Sequence, residues 1–138
     1  MIKKTMTYTD YNGIERTEDF YFHLNKAEIM RMEMSTAGGL AERIQRIVAA
    51  QDLPAIIAVF EELIQKSYGV KTPDGKGFTK KPEDLEAFIA TEAYSDLFME
   101  LATDADAASK FVNGIIPAGL AKQIEENKTT TKKTAAKN

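Results

Sequence analysis

The sequence predicts an α+β, mainly α-helical fold in which an N-terminal β-hairpin leads into a bundle of about four to six helices and a disordered C-terminal tail. Three observations carry this expectation. The first twenty-four residues alternate polar and apolar around an Asn-Gly pair, the next hundred carry apolar residues at helical spacing, and the last eleven contain no large apolar side chain.

In the opening segment Ile2, Met6 and Tyr8 share one parity with Lys4, while Lys3, Thr5 and Thr7 take the other, as in a half-buried strand. Asn12-Gly13 tolerates positive φ at both centres of a type I′ turn, and Thr17 to Leu24 reads as the returning strand, with Phe20, Phe22 and Leu24 on its apolar side. Asn25 followed by Glu28 resembles a capping box, so a helix carrying Ile29, Met30, Met32 and Met34 is expected to begin there. Ser35-Thr36-Ala37-Gly38-Gly39 should break or restart it.

Leu40, Ile44, Ile47 and Val48 then form one stripe opposite Glu42, Arg43, Gln45 and Arg46. Asp52 can cap the following helix, in whose first turn Pro54 is tolerated; the broad apolar face of Ile56, Ile57, Phe60, Leu63 and Ile64 suggests a central position. Val70 to Lys81 contains Thr-Pro-Asp-Gly-Lys-Gly and reads as a surface turn or a short second hairpin. Pro82-Glu83-Asp84 suits a first helical turn ahead of Leu85, Phe88 and Ile89, and a further segment holds Tyr94, Leu97, Phe98 and Leu101. Thr103 or Asp104 could cap a helix presenting Phe111, Val112 and Ile115 before Pro117, and Leu120 and Ile124 suggest a last weak turn.

The expected organisation is therefore a hairpin over residues 1–24 packed on a helical body over 25–127, together one domain, and a disordered Lys/Thr/Ala tail over 128–138. Setting aside the tail's four lysines, 14 of the 18 basic residues face 21 acidic ones, so the body is acidic at a formal −7.

Composition excludes several classes of chemistry. The chain has no cysteine and a single histidine, His23, which has no neighbour at metal-ligand spacing. Glu100, Asp104 and Asp106 lack the glycine bend and distal glutamate of a calcium loop, and capping accounts for them better. Gly75-Lys76 does not complete a phosphate loop, since Val70 and Gly77 stand where a glycine and a hydroxyl are needed. Gly38-Gly39 has no accompanying pattern of a nucleotide site. No catalytic, cofactor or metal residues are assigned, and an enzyme is not expected. No apolar run has signal-peptide or membrane-spanning length, so neither export nor a membrane is expected. The lysine tail lacks arginine and stacking aromatics, and the acidic body opposes phosphate, so nucleic acid is not an expected partner.

Three stretches have a further likeness: Thr-Tyr-Thr-Asp-Tyr-Asn-Gly, then Asp-Phe-Tyr-Phe-His-Leu-Asn-Lys-Ala-Glu-Ile-Met, then Thr-Glu-Ala-Tyr-Ser-Asp-Leu-Phe-Met-Glu-Leu-Ala-Thr-Asp. In combination and order, over about residues 1 to 125, they resemble tail assembly chaperones of long-tailed, siphovirus-like bacteriophages. The resemblance implies a non-enzymatic protein of the host cell cytoplasm, needing no cofactor, that binds and solubilises the tape measure protein, helps recruit tail tube protein, and is absent from the mature virion. It also implies a short form whose longer partner arises by programmed frameshifting. Thr131-Lys132-Lys133 and Ala136-Lys137-Asn138 can each be encoded across adenine runs.

Polarizable methionines suit an adaptable surface, and client contact is placed around Met30, Met34, Phe98 and Met99. The competing reading is a structural tail or connector component, in which the hairpin augments a sheet. Self-association through an exposed hairpin edge or apolar helix is left open.

Overall fold

A computed structural model describes residues 1–36 and 38–116. The tail at 128–138 and the weak turn at Leu120 and Ile124 lie outside the described residues. Within them the chain forms β1 (Ile2–Thr9), β2 (Glu15–Phe22), α1 (Lys26–Ser35), α2 (Leu40–Ala49) and α3 (Leu53–Ser67), followed by β3 (Tyr68–Lys71), β4 (Phe78–Thr79), α4 (Pro82–Ile89), α5 (Glu92–Thr103) and α6 (Ala105–Ile115). The mainly helical α+β expectation holds, with an N-terminal strand pair and six helices.

The hairpin parity is as expected: Met6 and Tyr8 are buried while Lys3, Thr5, Thr7 and Thr9 are exposed. Its turn is different. Only Gly13 in the loop has positive φ, at 78°, and Asn12 does not share it. Asp10 N–H donates to the Ile14 carbonyl and Gly13 N–H to the Asp10 carbonyl, so this is a three-residue loop closed by a left-handed glycine, and the type I′ expectation is corrected. The reason is Asp10: its carboxylate accepts from the amides of Asn12 and Ile14, both at 2.9 Å, and from Arg16 Nε at 2.6 Å. This Asx-type bonding holds Asn12 in an ordinary conformation and holds the Asp10 carboxyl below the usual carboxylate range, chiefly through Arg16.

The second hairpin joins the first in one four-stranded antiparallel sheet of order β1-β2-β3-β4. Strands β2 and β3 meet only at Tyr21–Gly69 and Phe22–Tyr68. They continue through His23 N–H, which donates to the Ser67 carbonyl at 2.7 Å. Ser67 is buried, and its hydroxyl donates to the Leu63 carbonyl at 2.6 Å, so the last turn of α3 passes directly into β3 without an unsatisfied polar group.

One face of the sheet is covered by helices. Helix α5 is the hub, packing against α6, α3, α4 and β1, whereas α2 packs chiefly on α3. Phe22, Leu24, Leu63, Ile64, Leu97 and Ile115 are the largest fully buried apolar side chains. They come from β2 and the segment after it, α3, α5 and α6, which confirms the central place read from the breadth of the α3 face. Thr91 caps α5 by accepting from Tyr94 N–H, and Asp104 rather than Thr103 caps α6, accepting from Asp106 and Ala107.

Gly69 is where β3 passes under Phe78. A Cβ there would lie 2.6 Å from the Phe78 ring and 2.8 Å from the Thr79 carbonyl oxygen, which belongs to the paired strand and cannot swing aside. Gly69→Ala should therefore lower unfolding free energy by about 1–3 kcal/mol, as overpacking does. Urea denaturation of the variant beside the unsubstituted chain checks this, and an unchanged midpoint would contradict it.

Candidate partner-binding surface

Helix α1 begins with the expected capping box. Asn25 Oδ1 accepts from Glu28 N–H at 2.9 Å, and Glu28 Oε1 accepts from Asn25 N–H at 3.0 Å. The other glutamate oxygen does something local sequence could not foretell: Oε2 accepts from Lys80 Nζ at 2.6 Å, and the same ammonium donates to the His23 carbonyl at 2.7 Å. Lys80 follows β4, so it ties the second hairpin to the end of β2 and the first turn of α1. Both side chains of the ion pair are about three-quarters buried, at 23% exposure each.

The other end of α1 is tied to α2. Glu33 Oε1 accepts from Leu40 N–H at 3.0 Å, so a side chain of α1 caps the first turn of α2 across the Gly38-Gly39 break. Helix α2 is held to α3 by Leu40, which is buried, by Ile44 and Ile47, which pack on the core, and by Arg43 donating to Glu62 at 3.2 Å. Although burial pushes the Glu62 carboxyl upward, Lys66 and Arg43 together outweigh it and leave its pKa lowered.

Fixed at both ends, α1 turns Ile29 and Met32 into the protein and Met30 and Met34 outward, at 64% and 82% exposure. The outer pair is spaced i, i+4, one above the other on the helix surface. On the inner side a cleft of about 280 Å³ is lined by Leu24, Glu28, Arg31, Met32 and Lys66. Leu53, at the start of α3, is also largely exposed and was not singled out by the sequence. Its position just before Pro54, in the unpacked first helical turn, was the available signal.

The other two candidates lie on α5. Phe98 is half-buried, packs against the core and meets the Tyr94 ring at 6.5 Å between centroids, while Met99 is 54% exposed. Helix α1 is not among the elements on which α5 packs extensively. Two separate helices thus carry the four residues, and only Met30, Met34 and Met99 present most of their surface to solvent.

Two of the acids near α6, Asp104 and Glu100, have structural partners. Asp104 caps the helix, and Glu100 accepts from Lys4 Nζ at 2.8 Å. Among the described residues no cluster of three or more His, Cys, Asp or Glu side chains could hold a metal ion, and no helix is long and apolar enough to cross a membrane.

A family model described as phage tail assembly chaperone matches residues 1–138. The chain belongs to the phage tail assembly chaperone family. No curated protein and no solved structure matches it. Membership agrees with the resemblance carried by the hairpin, the strand-to-helix passage and α5.

His23 sits within this arrangement with Nδ1 buried and unpartnered, and its ring meets Phe78 edge-on at 6.3 Å. Burial lowers its pKa, helped by the charges of the N-terminus and Lys80 and opposed by Glu28. A depressed histidine contributes stability that is present above its unfolded value of about 6.5 and is lost as pH falls through the folded one. Chemical denaturation between pH 7.5 and 5 should therefore show a greater loss of stability in the unsubstituted chain than in His23→Gln. Parallel losses would remove His23 from the account.

Proposed function

We propose that this family member binds the tape measure protein, keeps its hydrophobic helices soluble in the host cell cytoplasm, helps bring tail tube protein to it, and leaves before the virion is complete. The observation that carries the reading is the Met30–Met34 pair, one turn apart and exposed on a helix whose two ends are anchored. Unbranched, polarizable side chains adapt to varied apolar partners, and an i, i+4 pair supplies two anchors on one face of a helix for packing against another. Met99, with Phe98 behind it on α5, offers a second contact. The acidic body, formally −7 over residues 1–127, keeps the loaded complex from associating further. The role is one of binding, without catalysis.

Replacing Met30 and Met34 together with glutamate should abolish co-purification of tape measure protein while the circular dichroism stays unchanged, because both side chains already face solvent. Retained binding would move the interface off α1. Mass spectrometry of purified particles should find none of this chain, and stoichiometric copies would favour a structural tail or connector component.

The lysines of the final residues are read as a constraint on the messenger. A longer product made by frameshifting over the codons of Thr131–Lys133 or Ala136–Asn138 would carry tube recruitment. The gene should show uninterrupted adenine runs there with an overlapping downstream frame, and interrupted runs without that frame would refute the idea.

A further inference from the structure

The sheet has a long open side. Strand β1 lies at its end, and among the described residues it pairs only with β2. It runs from Ile2 to Thr9 in one-to-one register with β2, so it has no bulge, and it contains neither proline nor glycine. Edge strands of this length are ordinarily blunted by such features or by charge. Here the charges are Lys3 and Lys4, both at one end, and Lys4 is turned toward the helices, where it pairs with Glu100.

The ladder decides which backbone groups face outward. Asp10 N–H donates to the Ile14 carbonyl, so alternation makes Tyr8, Met6, Lys4 and Ile2 the residues bonded to β2. The N–H and C=O groups of Lys3, Thr5, Thr7 and Thr9 then point away from it. The far side of β2 confirms the alternation, because Tyr21 pairs outward with Gly69 and His23 donates outward to Ser67.

We propose that this edge is closed by the same strand of a second copy, running antiparallel about a two-fold axis at Met6, so that two four-stranded sheets become one continuous sheet across a homodimer. The set Lys3, Thr5, Thr7 and Thr9 is self-complementary in that register. Lys3 faces Thr9 of the second copy and Thr5 faces Thr7, in both directions, and every outward group is bonded. A two-residue slip either way leaves Lys3 or Thr9 without a partner. The register sets the lysines at opposite ends and opposes no like charges. It also brings Lys3 beside the strand pair Thr9–Glu15 of the second copy, in reach of an opposite charge. On the solvent face the central contacts are threonine on threonine, a favourable cross-strand pairing. The side chains favour a second copy over an unrelated strand, because in this register each Lys3 lies toward Glu15 of the second copy and no like charges face each other. Such pairing uses none of the methionines assigned to the client.

The test uses the full chain. Light scattering across a concentration series should show a dimer. Thr7→Pro removes an outward N–H that the chain's own sheet does not use, so it should yield a monomer with unchanged circular dichroism. Thr5→Lys with Thr7→Lys opposes like charges and should weaken association by roughly tenfold or more, whereas Thr5→Lys with Thr7→Glu sets opposite charges across the seam and should keep it. The chain has no cysteine. Mixed Thr5→Cys and Thr7→Cys chains should therefore form a disulfide-linked pair on oxidation, and neither chain alone should do so to the same extent. A monomer at all concentrations would overturn the proposal, as would a dimer indifferent to the proline and to the charge pairs. Loss of tape-measure binding by Thr7→Pro in a chain that is monomeric throughout would assign the edge to that partner instead, and overturn it too.

Discussion

Phe88 is the contact on which the sheet and the helices both depend. Its ring stacks on Tyr68 of β3 with centroids 4.3 Å apart and 17° between planes, and it meets Phe20 and Phe22 of β2 at 5.1 and 5.8 Å and Tyr94 of α5 at 5.5 Å. Phe22 extends the cluster to Phe111 of α6 at 5.3 Å. Since β2 and β3 share only two paired positions, backbone hydrogen bonds alone would join the hairpins weakly. The rings supply what the ladder lacks: burial of Phe-sized side chains at about 2–3 kcal/mol each, with about 1 kcal/mol more for each well-oriented ring pair.

A second constraint follows from that arrangement. With β4 held in place, Lys80 is brought to Glu28 and the His23 carbonyl, and the start of α1 is fixed against the end of β2. A partly buried pair of this kind is weak evidence for stability, because desolvation offsets much of the attraction. Its effect is positional. Together with Glu33 at the other end it sets the rotation of α1, and rotation determines which methionines face solvent. The exposure of Met30 and Met34 is thus a consequence of contacts made well away from them.

The sheet is asymmetric in the same way. Helices cover one face and the second hairpin covers the lower part of β2, while among the described residues β1 keeps its outward row of amides and carbonyls unpaired. Threonines on the outer face keep such an edge soluble and β-forming at once.

Local patterns were legible in the sequence because they depend on neighbours a few residues apart. The alternation in β1, the Asn25–Glu28 box, the Asp52 cap and the inward Leu40, Ile44 and Ile47 of α2 all appear where sequence placed them. The hairpin turn was misread because Asp10 competes for the loop amides, a side-chain effect that the Asn-Gly signal overshadowed. Of the candidate surface, sequence could name methionines but not orient them: Met30, Met32 and Met34 look alike along the chain, yet Met32 is buried and its neighbours are not. The union of two hairpins into one sheet, the Lys80 tie across fifty-two residues to Glu28, and the open side of β1 were decided by tertiary structure alone. They rest on which distant segments the aromatic core draws together, and that selection is made by packing in three dimensions, which no short window of sequence contains.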